Sequence, residues 1–277
     1  MSEWMDHLVI GWVTIAYGVG AILVTYRQIR GHGAPSRMGW WLVALGFLTH
    51  VAAMSSTLMI HHGEVSFNLK TSLEFVSLAV AMLYLLGCRL PGVEAPAAGI
   101  VVLPMLALSV LASRVLPASR NIEILTVTEP MLIAHLVMSL LAYGILTIAA
   151  IFALMDAFQD HALKSKHLGR LFDILPALNR LETTLYQMVR VGFALLSLSI
   201  VSGGVYSWEH HGTFFAFNHK VVLTWATWLS LLILFVGRHY WGWRGMKGAK
   251  WIVSGYLFLV LAFFGVKFVR EYILFYQ

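Results

Sequence analysis

The chain holds a single cysteine, Cys88, in 277 residues. That excludes an intramolecular disulfide, a CxxC redox pair and the CxxCH attachment site of a c-type haem. Charge is scarce as well. Only 12% of residues are charged, where soluble domains carry about 25%, while 59% are hydrophobic. With a mean hydropathy of +0.78, this depletion excludes an ordinary soluble domain and marks an integral membrane protein. The N-terminus, MSEWMDHLVIGW, lacks the basic leader and small-residue cleavage site of a secretory signal, so it reads as a retained first span. The formal charge of +6 resides in short loops between apolar runs, which points to orientation in a bilayer rather than to nucleic acid.

What the chain has in abundance is long apolar runs. A spanning helix needs about 20 such residues. Eight candidates meet or approach that length, at 7–26, 38–60, 69–87, 97–114, 130–155, 185–206, 219–237 and 250–273. The expected fold is all-α, a polytopic bundle of about eight transmembrane helices forming one integral membrane domain over residues 1–277. Pro104 interrupts the fourth run, which membrane helices tolerate when neighbours satisfy the freed carbonyl. The longest connection, 156–184, carries LFDILPALNRL broken by Pro176 and is expected to form a short helix at the interface.

Orientation follows from the basic residues. Twelve of the nineteen Lys and Arg fall in the loops after spans one, three, five and seven, and six fall on the opposite side. The positive-inside rule then places both termini outside the cytoplasm. His135 enters span five near its outer end, roughly 7–8 Å down at about 1.5 Å per residue. His219 opens span seven at that same face, and His50 stands near the middle of span two.

An imidazole at membrane depth is costly unless it faces a partner, a cavity or a metal. His135, Ser139 and Tyr143 recur every four residues and so share one helix stripe. This stripe faces the bundle interior, either as a packing histidine bonded to a neighbouring carbonyl or as a cofactor ligand. The same two readings stand for His50, with Gly46 and Met54 one turn either side. Glu74 in span three could orient a metal-bound imidazole or could pair with Lys70. The adjacent pairs His61-His62 and His210-His211 lack the i,i+4 geometry that fixes a metal site and read as surface.

Three stretches carry a family likeness: AHLVMSLLAYGILTIAAIFALMDA, then LPALNRLETTLYQMVRVGFALLSLSIVSGGVYS, then the segment from FNHKVVLTWATW to GVKFV. Together they resemble the cytochrome c assembly proteins of the CcsA/ResC/CcmC superfamily, nearest to its YpjD/HemX-like inner-membrane branch. The likeness is best over 130–273 and extends towards the N-terminus through LTHVAAM and NLKTSLEFVSLAV. It implies an eight-span bundle and haem handling at the outer face, with His135 as an external axial ligand beside a Trp-rich loop.

The chain departs from the haem-lyase pattern at that loop. FFAFNHK stands where those members carry a tryptophan-rich WWD-type stretch, with Trp208 as the single preceding tryptophan. The second external histidine near the end of the last span is missing too. Haem-lyase catalysis is therefore not expected. Haem binding is, as a non-covalent b-type group held between His135 and His219, with Ser139, Tyr143 and Trp208 around it, Glu74 behind a ligand and His50 deeper in the bundle.

The resulting expectation is a haem-handling protein of the bacterial inner membrane that works with other cytochrome c assembly or haem-synthesis proteins. The alternative is a HemX-like membrane scaffold that regulates such a partner without binding haem. A transporter is disfavoured by the lack of an inverted repeat and of paired broken helices.

Overall fold

In hydrocarbon every backbone N–H and C=O must be satisfied within its own segment, so apolar runs of this length fold as helices. The computed structural model describes residues 3–30, 37–60, 64–116, 124–126, 129–166, 175–214 and 218–273. Its elements are α1 (Glu3–Ile29), α2 (Arg37–Ile60), β1 (Glu64–Ser66), α3 (Leu69–Gly87), α4 (Ala95–Val115), β2 (Ile124–Thr126), α5 (Pro130–Ser165), α6 (Leu178–His211), α7 (His219–Trp241) and α8 (Gly245–Ile273). Eight helices among the described residues are long and apolar enough to cross a membrane. The chain is a multi-pass membrane protein whose candidate spans are all helical, as its composition requires.

Helix ends are where the sequence reading falls short. Hydropathy stops a span at the first charge, whereas a helix continues into the aqueous phase if its backbone bonds allow. α5 is 36 residues long, about 54 Å at 1.5 Å per residue, against a hydrocarbon core of about 30 Å. The interfacial helix expected in LFDILPALNRL, within 156–184, falls in part outside the described residues. Residues 156–165 continue α5 and 178–184 open α6, while 167–174 lie outside the described residues. α4 runs unbroken through Pro104.

The chain divides into two compact units, Met1–Val127 and Thr128–Gln277. In the first, α1 packs on α2 and α4, and α3 packs on α4. Small residues set these distances: a Cβ at Gly46 would stand 2.8 Å from that of Ala16. Asn68 caps α3 by accepting from the Thr71 N–H, and the Thr71 hydroxyl oxygen accepts in return from the Asn68 N–H. β1 and β2 pair antiparallel, Val65 opposite Leu125, as a three-residue ribbon.

In the second unit α5 packs on α6 and α8, and α7 on α8. Leu146 of α5 fills the space that a side chain at Gly192 of α6 would need, 2.6 Å from its absent Cβ. Gly242 ends α7 in the left-handed conformation at φ 61°, and Gly245 turns the chain into α8 at φ 54°. Asp160 of α5 caps α8 from across the unit, its Oδ2 accepting the Met246 N–H at 3.1 Å. Beyond Val260, α8 winds as π-helical turns at Leu261–Gly265 and Val269–Ile273.

Candidate functional site

His135 and Ser139 of the stripe inferred on α5 face α6 through hydrogen bonds that fix their geometry. His135 Nδ1 lies 2.9 Å from the Ser199 carbonyl oxygen. A carbonyl has no proton to give, so Nδ1 carries the hydrogen and, in the neutral ring, Nε2 keeps the lone pair. The Ser202 hydroxyl donates to the same carbonyl at 3.1 Å. Ser139 donates to the His135 carbonyl at 2.6 Å, which leaves its oxygen to accept from the Ser199 hydroxyl, also at 2.6 Å. One backbone carbonyl and three serine side chains from two helices thus hold one imidazole in one tautomer and one orientation.

Gly203 completes the cradle. A Cβ there would stand 2.7 Å from His135 Cε1 and 2.9 Å from Nδ1, so the ring lies directly on the α6 backbone. Nε2 makes no hydrogen bond among the described residues, and the residue as a whole is half-buried. Half-burial with one nitrogen fixed and the other free is the arrangement metal-binding histidines use.

Further down α5, Tyr143 is buried against Tyr256, Phe263 and Phe264, whose ring centroids lie 6.0, 5.5 and 5.5 Å away. Two of these rings come from the first π-helical turn of α8. Thr147 donates to the Tyr143 carbonyl at 2.8 Å, which leaves its oxygen to accept from the Tyr256 hydroxyl at 3.0 Å. Tyr143 is therefore walled in by aromatic rings, two turns from His135 on the same stripe.

The remaining candidates lie elsewhere. His219 is exposed at the first residue of α7, behind Asn218, whose side chain accepts from the Val221 N–H at 2.9 Å. Neither a hydrogen bond nor a ring contact joins it to His135 among the described residues. Because α5, α6 and α7 alternate in direction, His219 and His135 both belong to helix starts at one end of the unit. Trp208 is exposed near the end of α6, and Phe214 folds back onto Gly204. Residues 215–217 of the FFAFNHK loop lie outside the described residues, as do His61 and His62. His210 reaches Glu129, just before α5, at 3.0 Å and so ties the two helix ends together.

In the first unit, Glu74 is buried with its Oε1 accepting from Arg114 at 3.1 Å and from Ser113 at 3.0 Å. The ion pair is thus made with α4 and not with Lys70 of its own helix. His50 is 1% exposed and neither ring nitrogen has a hydrogen-bond partner among the described residues. Its ring meets the edge of Tyr17 at 6.4 Å. Burial pushes the Cys88 thiol up to about 11, so at neutral pH it is not the thiolate that binds metals. No group of three or more His, Cys, Asp or Glu that could hold a metal ion occurs among the described residues.

A site built on one oriented histidine suits a ligand that brings its own metal. The family described as cytochrome c assembly protein matches residues 42–274, most of the chain. The chain belongs to the cytochrome c assembly protein family. It is 28% identical over 263 residues to the inner membrane protein YpjD of Escherichia coli (strain K12), covering 94% of this chain and 96% of that one. It is 28% identical over 138 residues to protein HemX of Brevibacillus brevis, half of each chain (50% and 51%). It is 33% identical over 89 residues to the cytochrome c biogenesis protein CcsA of Prochlorococcus marinus (strain MIT 9312), 32% of this chain and 29% of that one. The matched region includes His135 and the helix that holds it.

Ser199, Ser202 and Gly203 are the site residues that sequence reasoning missed. Their signal was present in the small-residue run SIVSGG, which permits close helix approach.

Proposed function

We propose that this chain is a haem-handling protein of cytochrome c assembly in the bacterial inner membrane, with His135 Nε2 as an axial ligand for a non-covalent b-type haem. The observation that carries this reading is the Nδ1 hydrogen bond to the Ser199 carbonyl, which orients the free nitrogen. The donor set fits the group: a neutral imidazole is a common axial ligand for haem iron. Bound haem would supply iron redox chemistry, and the chain would supply ligation, burial and orientation.

His219 is the proposed second imidazole, since it opens α7 at the end of the unit where α5 begins. The basic-residue bias supports placing that end, and both termini, outside the cytoplasm. Without a WWD-type loop, the chain would hold haem for partner assembly or haem-synthesis proteins and would not itself attach it to cytochrome c. The likeness to HemX favours one further reading, a scaffold that regulates such a partner without haem.

The test is haem titration of the protein purified in mild detergent, beside His135→Ala and His219→Ala. Wild type is expected to give a sharp Soret band and resolved α/β bands. His135→Ala should lose the low-spin signature and His219→Ala should weaken it. Unchanged bands in both variants would remove the pair, and no binding by wild type would leave the scaffold reading.

A further inference from the structure

We infer that the cleft between α6 and α7 lined by Tyr186, Arg190, Phe235, Arg238 and His239 binds the phosphate headgroup of an anionic phospholipid. This cleft measures ≈ 550 Å³. It is built from the parts of the two helices furthest from His135, so it is independent of the proposed haem site.

Arg190 carries the inference. It is exposed on α6 at the point where charge ends, since residues 191–205 contain no Asp, Glu, Lys or Arg. An arginine at that level stands where hydrocarbon meets headgroups, and its side chain reaches towards the polar side. Its Nε donates to the Tyr186 carbonyl at 3.3 Å, four residues back towards the start of the helix. No carboxylate pairs with it among the described residues, so the terminal amino groups of its fork remain for an external acceptor.

The neighbouring charge does not cancel it. Glu182 is buried and accepts from Arg238 at 2.9 Å and from Arg244 at 2.6 Å, so two guanidinium groups share one carboxylate. Asp160 is paired with Lys164 at 2.7 Å, so even with buried Asp156 counted as ionised three arginines stand against two acids. Arg238 lies over the Tyr186 ring, its guanidinium carbon 3.4 Å from the centroid, which holds it at the cleft wall. Phe235 supplies apolar surface on the membrane side, against which an acyl chain can lie. A planar guanidinium fork matches two phosphate oxygens, and basic pockets between membrane helices are suited to acidic headgroups.

Native mass spectrometry of the full-length protein in detergent tests this directly, with dioleoyl phosphatidylglycerol or dioleoyl phosphatidylcholine titrated in equal amounts. Wild type should retain phosphatidylglycerol in preference to phosphatidylcholine. Arg190→Gln should weaken the first phosphatidylglycerol by about tenfold, the loss of a charge-assisted contact. Arg190→Lys, which keeps the charge, should preserve the preference. Lys250→Gln removes an exposed charge outside the cleft and should change affinity by less than about twofold. Equal losses in Arg190→Gln and Lys250→Gln would overturn the site in favour of diffuse attraction. Displacement of the lipid by millimolar inorganic phosphate would overturn the lipid assignment in favour of a free anion.

Discussion

His50 in the first unit and His135 in the second each stand in the apolar part of a membrane helix, yet among the described residues only His135 has a hydrogen-bond partner. His50 is closed off at 1% exposure with both nitrogens unbonded among the described residues. His135 is half-buried, has Nδ1 fixed on a backbone carbonyl and leaves Nε2 unbonded among the described residues. The lesson is that what holds one nitrogen of an intramembrane histidine decides how the other is oriented. A ring without a partner is merely costly at that depth, whereas a ring with one partner is aimed.

The contrast can be broken most strongly at Gly203. Gly203→Val would drive a side chain into the space of the His135 ring, where even a Cβ comes within 2.7 Å of it. Overpacking of this kind costs about 1–3 kcal/mol, and the thermal midpoint in detergent should fall accordingly. The haem spectrum should fall with it, because the ring can no longer lie on α6. A variant with wild-type spectra would show that the cradle does not orient the ring.

A smaller effect of opposite sign is expected at His50. Leaving a buried polar group unpaired costs about 1–3 kcal/mol, and an apolar replacement of similar shape removes that cost. His50→Leu should therefore raise the thermal midpoint, while His135→Leu should lower it through loss of a bond worth about 0.5–1.5 kcal/mol. A fall in both would mean that His50 also has a partner holding it, and the two imidazoles would then belong to one class.

The smallest effect separates hydroxyl from carbonyl. Ser199→Ala removes the hydroxyl that bonds Ser139 but keeps the carbonyl that bonds His135. An interhelical hydrogen bond in a membrane protein is worth about 0.6 kcal/mol on average, so a slight loss of thermal stability is expected with an unchanged haem spectrum. A changed spectrum would assign the orientation of His135 to the hydroxyl network instead.

Much of this protein was legible in its sequence. Hydropathy alone marks eight spans, because the cost of burying charge in hydrocarbon is large and local. The spacing of His135, Ser139 and Tyr143 marks one helical stripe, because the α-helical period is fixed. Helix ends were not legible, as Asp156 to Ser165 shows: charged residues end a membrane span without ending a helix. The pairing of His135 with Ser199 was hidden for another reason. It joins residues 64 apart in sequence through a carbonyl, a group every residue possesses. Arg114 replaced Lys70 as the partner of Glu74 because the carboxylate faces α4, which helical spacing within α3 does not reveal. The π-helical turns that bring Phe263 and Phe264 to Tyr143 have no compositional mark either.

The role of the aimed nitrogen is tested most directly by visible spectroscopy of the purified wild-type protein and His135→Ala after equal haem titration. The expected result is a low-spin Soret and α/β spectrum in wild type that is lost in His135→Ala and partly recovered by added imidazole, which can enter the space left by the ring. Identical spectra from the two proteins would contradict ligation by His135.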